Sequence, residues 1–72
     1  MQTIEFHLQG DFIALCDLLK LTGIADSGGH GKMLVAANEV RVDGQPETRK
    51  TGKIRAGQVV ECRGVRVCVK AE

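Results

Sequence analysis

Two stretches of the chain hold residue types whose spacing suits the capture of an anion. In "SGGHGK", Ser27, Gly28, Gly29, His30 and Lys32 gather where the flanking residues call for a helix start. The first amides of a helix are unpaired and carry partial positive charge, so they suit phosphate oxygens, and glycines let such a group come close. In "TRKTGKIRAG", Arg49, Lys50, Lys53 and Arg55 add full positive charges where the chain bends. Each glycine costs about 1 kcal/mol against alanine in a helix interior. Helix stability alone therefore does not account for Gly28, Gly29 and Gly31. The competing readings are tight helix–helix packing for the glycines and a solvated surface for the loop.

Other chemistry finds less support. A zinc site needs about four Cys or His ligands, usually with two in a close pair. Cys62 and Cys68 are separated by five residues, and Cys16, His7 and His30 lie far from them in sequence. Cys16 and Cys62 read as small core residues. A nucleophile needs a base and a group that orients the base, and Ser27 and His30 have no evident acidic orienter. Nor is "SGGHGK" a phosphate loop or a dinucleotide fingerprint, because it follows a helix and a turn rather than a strand. The expectation is no catalytic residue, no metal, no cofactor and no small-molecule substrate. Phe6 and Phe12 both fall on expected core faces, and Trp and Tyr are absent. A stacking platform for single-stranded bases is therefore not expected.

A chain of 72 residues makes a single domain, 1–72, with room for a binding surface and little for a deep pocket. Its net charge of +1 hides a division. Residues 1–39 carry a net −3 and residues 40–72 a net +4, which points to an anionic partner met by the second half. No apolar run approaches the ~20 residues of a membrane span. The stretch MQTIEFHLQG has neither a basic leader nor a hydrophobic region. Three cysteines at no framework spacing suit reduced thiols. Together these make a cytoplasmic monomer the expectation.

The elements that must position the two stretches are short. Alternation in QTIEFHL, with Ile4, Phe6 and Leu8 on one side, predicts a half-buried strand over 2–8. Asp11 is the expected N-cap of a helix with Phe12, Leu15, Cys16 and Leu19 on its apolar face and Gly23 as its stop. A second helix starts at Asp26 or Ser27, with apolar surface from Met33 to Ala37. Asp43-Gly44 between extended residues predicts a type I′ hairpin that pairs Val42 with Gln45 and Arg41 with Pro46. Pro46 then marks an edge strand. In a second hairpin turning at Arg63-Gly64, Cys62 meets Val65, Val60 meets Val67 and Glu61 sits across from Arg66. That register puts Cys62 and Cys68 on opposite faces. The fold class is α+β: a short first strand, two packed helices, and two hairpins in a mostly antiparallel sheet.

The run "DSGGHGKMLVAANEVRVDGQPETRKTGKIRAGQVV" resembles the S-four RNA-binding domain, or αL motif. The matching parts are Ser27 to Asn38, the Val40-Arg41-Val42-Asp43-Gly44 turn, the basic stretch Arg49 to Arg55, and Ala56 to Val60. The flanking strand and final hairpin fit small stand-alone bacterial members of the YbcJ-like type. The resemblance implies a non-catalytic protein bound to structured RNA, ribosomal or transfer RNA, and ribosome association. It assigns RNA contact to Ser27, Gly28, Gly29, His30, Lys32, Arg49, Lys50, Lys53 and Arg55. Gly28 stands where many members carry arginine, and Asp43 stands where asparagine is usual; both lower the expected affinity. His30 changes charge near neutral pH, so modest tightening on acidification is expected. An alternative is an adaptor whose basic loop meets an acidic protein partner.

Overall fold

The computed structural model describes residues 2–72. In chain order the elements are β1 (Gln2–Leu8), β2 (Ile13–Ala14), α1 (Leu15–Leu21), α2 (Gly28–Ala36), β3 (Val40–Val42), β4 (Gln45–Pro46), β5 (Lys53–Ile54), β6 (Val59–Cys62) and β7 (Val65–Ala71). This is the α+β arrangement read from the sequence, a strand, a helix pair and two hairpins. Both hairpins turn on residues with positive φ, as type I′ requires: Asp43 and Gly44 at 52° and 81°, Arg63 and Gly64 at 52° and 78°. Their registers are the expected ones, Arg41 opposite Pro46 and Glu61 opposite Arg66. Pro46 lies on the edge strand β4, where its missing donor leaves no partner short.

The main sheet has the order β1-β7-β6-β3-β4. Only β1 and β7 run parallel, with Ile4 opposite Val67 and Phe6 opposite Val69. A parallel pair needs a long crossover, and here the whole chain between them, both helices included, supplies it. Alternate residues of the strands, Val40 and Val42, Val60 and Cys62, Val67 and Val69, are buried on one face. Against that face the helices bring Leu15, Leu18, Leu19, Leu34 and Val35 into a single cluster that also holds Ile54. Cys62 is in this core and Cys68 is on the other face, half-buried.

Three local expectations are corrected. Asp11 does not cap α1. The helix starts later, after Ala14 in extended conformation with no side-chain cap. Ile13 and Ala14 instead pair with Ile54 and Lys53 in a small second sheet. The first helical amides donate to loop carbonyls, Leu15 N–H to Gly52 O at 2.9 Å and Cys16 N–H to Lys50 O at 3.2 Å. A distant loop thus does the work of a cap. Because the helix starts after residue 14, Phe12 leaves the core face and is 44% exposed. Met33 is likewise outside the core, 68% exposed, since five consecutive apolar residues cannot share one helix face.

Candidate nucleic-acid interface

The start of α2 is built by Ser27. Its backbone is extended and its Oγ accepts from His30 N–H at 3.1 Å, the geometry of a serine N-cap. His30 answers through its ring: Nδ1 accepts from Asp26 N–H at 3.0 Å. This resembles a capping box shifted outward by one residue. In the neutral ring the proton then sits on Nε2, because Nδ1 is the acceptor. The Asp26 carboxylate stands 4.0 Å from the same nitrogen. With His30 N–H taken by the cap, the amides of Gly28 and Gly29 are left to be met from outside the helix.

The three glycines divide into two kinds. A Cβ on Gly28 would meet nothing within 4 Å, and one on Gly29 would touch only Ser27 Oγ at 3.8 Å. On Gly31 it would lie 2.8 Å from Cys16 O and 3.2 Å from Cys16 Cα. Gly31 is therefore demanded by close packing of α2 on α1, whereas Gly28 and Gly29 face open space. Packing thus explains one glycine and leaves the other two available to a ligand.

The same Cys16 connects this helix start to the basic loop. Its carbonyl lies against Gly31, and its amide is bonded to Lys50 O. The loop is also held from within by Glu47. That carboxylate accepts from the amides of Thr48 at 3.0 Å and Arg49 at 2.9 Å, and both its oxygens receive the Arg49 guanidinium at 3.3 Å. Its bond from the Arg49 side chain, then that from the Arg49 amide, holds the Glu47 carboxyl below the usual carboxylate range. An open cleft of about 450 Å³ lies at the loop, lined by Arg49, Thr51, Gly52 and Lys53.

Among the described residues, Arg49 is the one lysine or arginine of the expected set that has an ion-pair partner. Lys32, Lys50, Lys53 and Arg55 are exposed and lack one. Lys53 Nζ sits 4.8 Å from the centre of the Phe12 ring and the Arg55 guanidinium 5.7 Å from it. Two neighbouring residues escaped the sequence reading. Glu47 as the organiser of the loop had a signal, an acid two places before an arginine. Phe12 had none, because the strand that carries it out of the core is two residues long. Asp43 keeps the hairpin turn, as expected, and also has a structural role. Its two oxygens accept from Val59 N–H at 2.9 Å and Gln58 Nε2 at 3.2 Å, tying the first hairpin to β6.

Residues 6–70 match the family model of the S4 domain. The chain belongs to the S4-domain family. It is 51% identical over 59 residues to the Escherichia coli (strain K12) protein named "Putative RNA-binding protein YbcJ", covering 82% of this chain and 84% of that one. It is 37% identical over 54 residues to the Bacillus subtilis (strain 168) "Probable ribosome maturation protein RlbA", covering 75% and 76%. The solution structure of E. coli YbcJ, described as revealing an αL motif involved in RNA binding, superposes with a TM-score of 0.69 at 45% identity. That superposition covers 99% of this chain and 89% of the other. The S4-like resemblance expected over about residues 20–60 thus extends to residues 6–70. No helix of the described residues is long and apolar enough to cross a membrane.

Proposed function

We propose that this protein is a non-catalytic RNA-binding protein that holds structured RNA by its phosphates, with ribosomal or transfer RNA as the target class, and that it acts as a cytoplasmic monomer. The observation that carries the reading is the set of unpartnered cations on a loop bonded to the start of α1. Through Cys16 that loop is linked to Gly31 in the first turn of α2, the helix whose leading amides, those of Gly28 and Gly29, are open. The relatives' names, one for RNA binding and one for ribosome maturation, agree with it. In an A-form helix the base edges of the major groove are out of reach, so phosphates and shape are what such a surface can read. Lys32, Lys50, Lys53 and Arg55, together with the amides of Gly28 and Gly29, would amount to about four or five phosphate contacts. Those contacts correspond to a slope of about −3 to −4.5 in log affinity against log salt. Ser27 and His30 serve by shaping the helix start, and Arg49 by shaping the loop.

Charge reversal of Lys50 and Lys53 to glutamate tests the reading, by filter retention of a helical ribosomal RNA fragment at low salt. The double variant is expected to lose retention while its circular dichroism stays that of the wild type. Unchanged retention would reject the surface. Arg49 is left alone in this test because its loss would also release Glu47. An adaptor for an acidic protein would give lysate complexes that survive nuclease treatment, whereas the RNA reading expects them to be lost.

A further inference from the structure

Beside the cationic loop lies a cleft of about 390 Å³ with Phe6, Phe12 and Leu21 on its apolar walls and His7 and Gln9 as its polar lining. Its size falls at the lower end of small-ligand pockets, about 300–1,000 Å³. Phe12 and Leu21 are 44% and 63% exposed, so the walls are open to a partner. Phe12 also belongs to the loop's surroundings, because Lys53 and Arg55 are set over its ring at 4.8 and 5.7 Å. Arg55 is steadied by the backbone oxygen of Asp11, 3.5 Å from its Nη1. An aromatic ring that lines the cleft and has two cations without carboxylate partners close to it matches one kind of ligand in particular. A nucleotide offers a flat π face for the ring and a phosphate for the cations in the same unit. His7 and Gln9 bring both donors and acceptors to the edge of such a base.

We propose that this cleft receives a single unpaired nucleobase, stacked on Phe12, while Lys53 and Arg55 hold the phosphates that flank it. The proposal rests on the RNA-binding reading and adds to it: the protein distinguishes helical RNA with an extruded base from uninterrupted duplex. An acidic peptide would satisfy the cations but leave the aromatic wall without a flat partner.

The test compares a fully paired RNA hairpin with the same hairpin carrying one bulged 2-aminopurine, binding the full chain to each. The wild type is expected to bind the bulged RNA about tenfold more tightly, the scale of one base–aromatic stack, and to quench the bulge fluorescence. F12L keeps apolar volume and is expected to lose both the preference and the quenching, so that it binds the two hairpins equally. F12W is expected to retain both effects. Equal wild-type affinity for the two hairpins, or an F12L variant that still prefers and quenches the bulge, would overturn the proposal and leave the phosphate surface standing. Failure to bind either hairpin at low salt would remove the RNA reading and this inference together. A poly-glutamate peptide that binds wild type but not F12L, with bulge preference unaltered, would assign the cleft to an acidic protein and overturn it as well.

Discussion

The β6–β7 hairpin and the loop between β4 and β5 both carry cations at a bend, yet they treat them in opposite ways. At the hairpin, Arg63 meets Glu39 and Arg66 meets Glu61, each at 3.7 Å. In the loop the one carboxylate, Glu47, is committed to Arg49 and to two backbone amides. Lys50, Lys53 and Arg55 have no ion-pair partner among the described residues. Exposed pairs such as those of the hairpin contribute about 0–1 kcal/mol to stability. Their larger effect is to cancel the local field, and at the loop no such cancellation meets Lys50, Lys53 and Arg55. Like charges there repel, so the bend must be held by something else. It is held by backbone bonds from Leu15 and Cys16 to loop carbonyls and by Glu47 from within. The difference separates a structural use of cations from one that leaves them ready for an outside anion.

The largest effect on this contrast should come from Gly31, the contact through which α2 and the loop share Cys16. In G31A the added methyl would press on backbone atoms 2.8 Å away, and backbone cannot swing aside as a side chain can. Overpacking of this kind costs about 1–3 kcal/mol, and alanine's better helix propensity returns up to about 1 kcal/mol. A net loss of about 1–2 kcal/mol is expected, lowering Tm by about 5–15 °C. G28A, in open space, should leave Tm nearly unchanged. Equal melting of the two variants would break the division of the glycines.

Next in size is Glu47. E47Q weakens the grip on the loop's bend and should lower RNA affinity about twofold to fivefold, the scale of an exposed charge-assisted contact. The wild type should show the same weakness in acid. A carboxyl whose folded-state value is lowered stabilises the fold fully above the usual carboxylate range. That stabilisation is lost as pH falls through the folded value. The Thr48 and Arg49 amide resonances should therefore shift together below the usual carboxylate range. In E47Q no such step should occur. Resonances that ignore acid in the wild type would mean that Glu47 does not shape the loop.

The smallest effect inverts the contrast. Replacing Glu39 and Glu61 by glutamine frees Arg63 and Arg66 without adding charge to either. RNA affinity should rise about twofold to threefold at low salt, and the gain should vanish at high salt as exposed charges are screened. A gain independent of salt would show that the two acids act through structure.

How much of this was legible depended on distance along the chain. Both hairpins could be read with their registers because Asp43-Gly44 and Arg63-Gly64 impose a turn through their own φ angles. The first strand showed in its alternation and the second helix start in Ser27. The pairing of β1 with β7 and of β2 with β5 joins segments with no local signature of each other. So does the capping of α1 by loop carbonyls. Phe12 was misplaced for that reason: a periodic apolar spacing read as one helix is cut by a strand pair formed with residues 53 and 54. Within the candidate site the cation types were plain. Their pairing was not, because Arg49 looks like Lys50 until Glu47 is seen to fold back on it. Gly28, Gly29 and Gly31 are likewise equivalent in the sequence and differ only in what Cys16 brings near them.

The most direct test is the salt dependence of binding to one structured RNA, compared between K50A/K53A and R63A/R66A. Each phosphate contact removed reduces the slope of log affinity against log salt by about one. An interface made of the unpartnered cations requires the first variant to lose about two units of slope and the second to keep the wild-type value. Equal slopes in the two variants, or the larger loss in R63A/R66A, would contradict it.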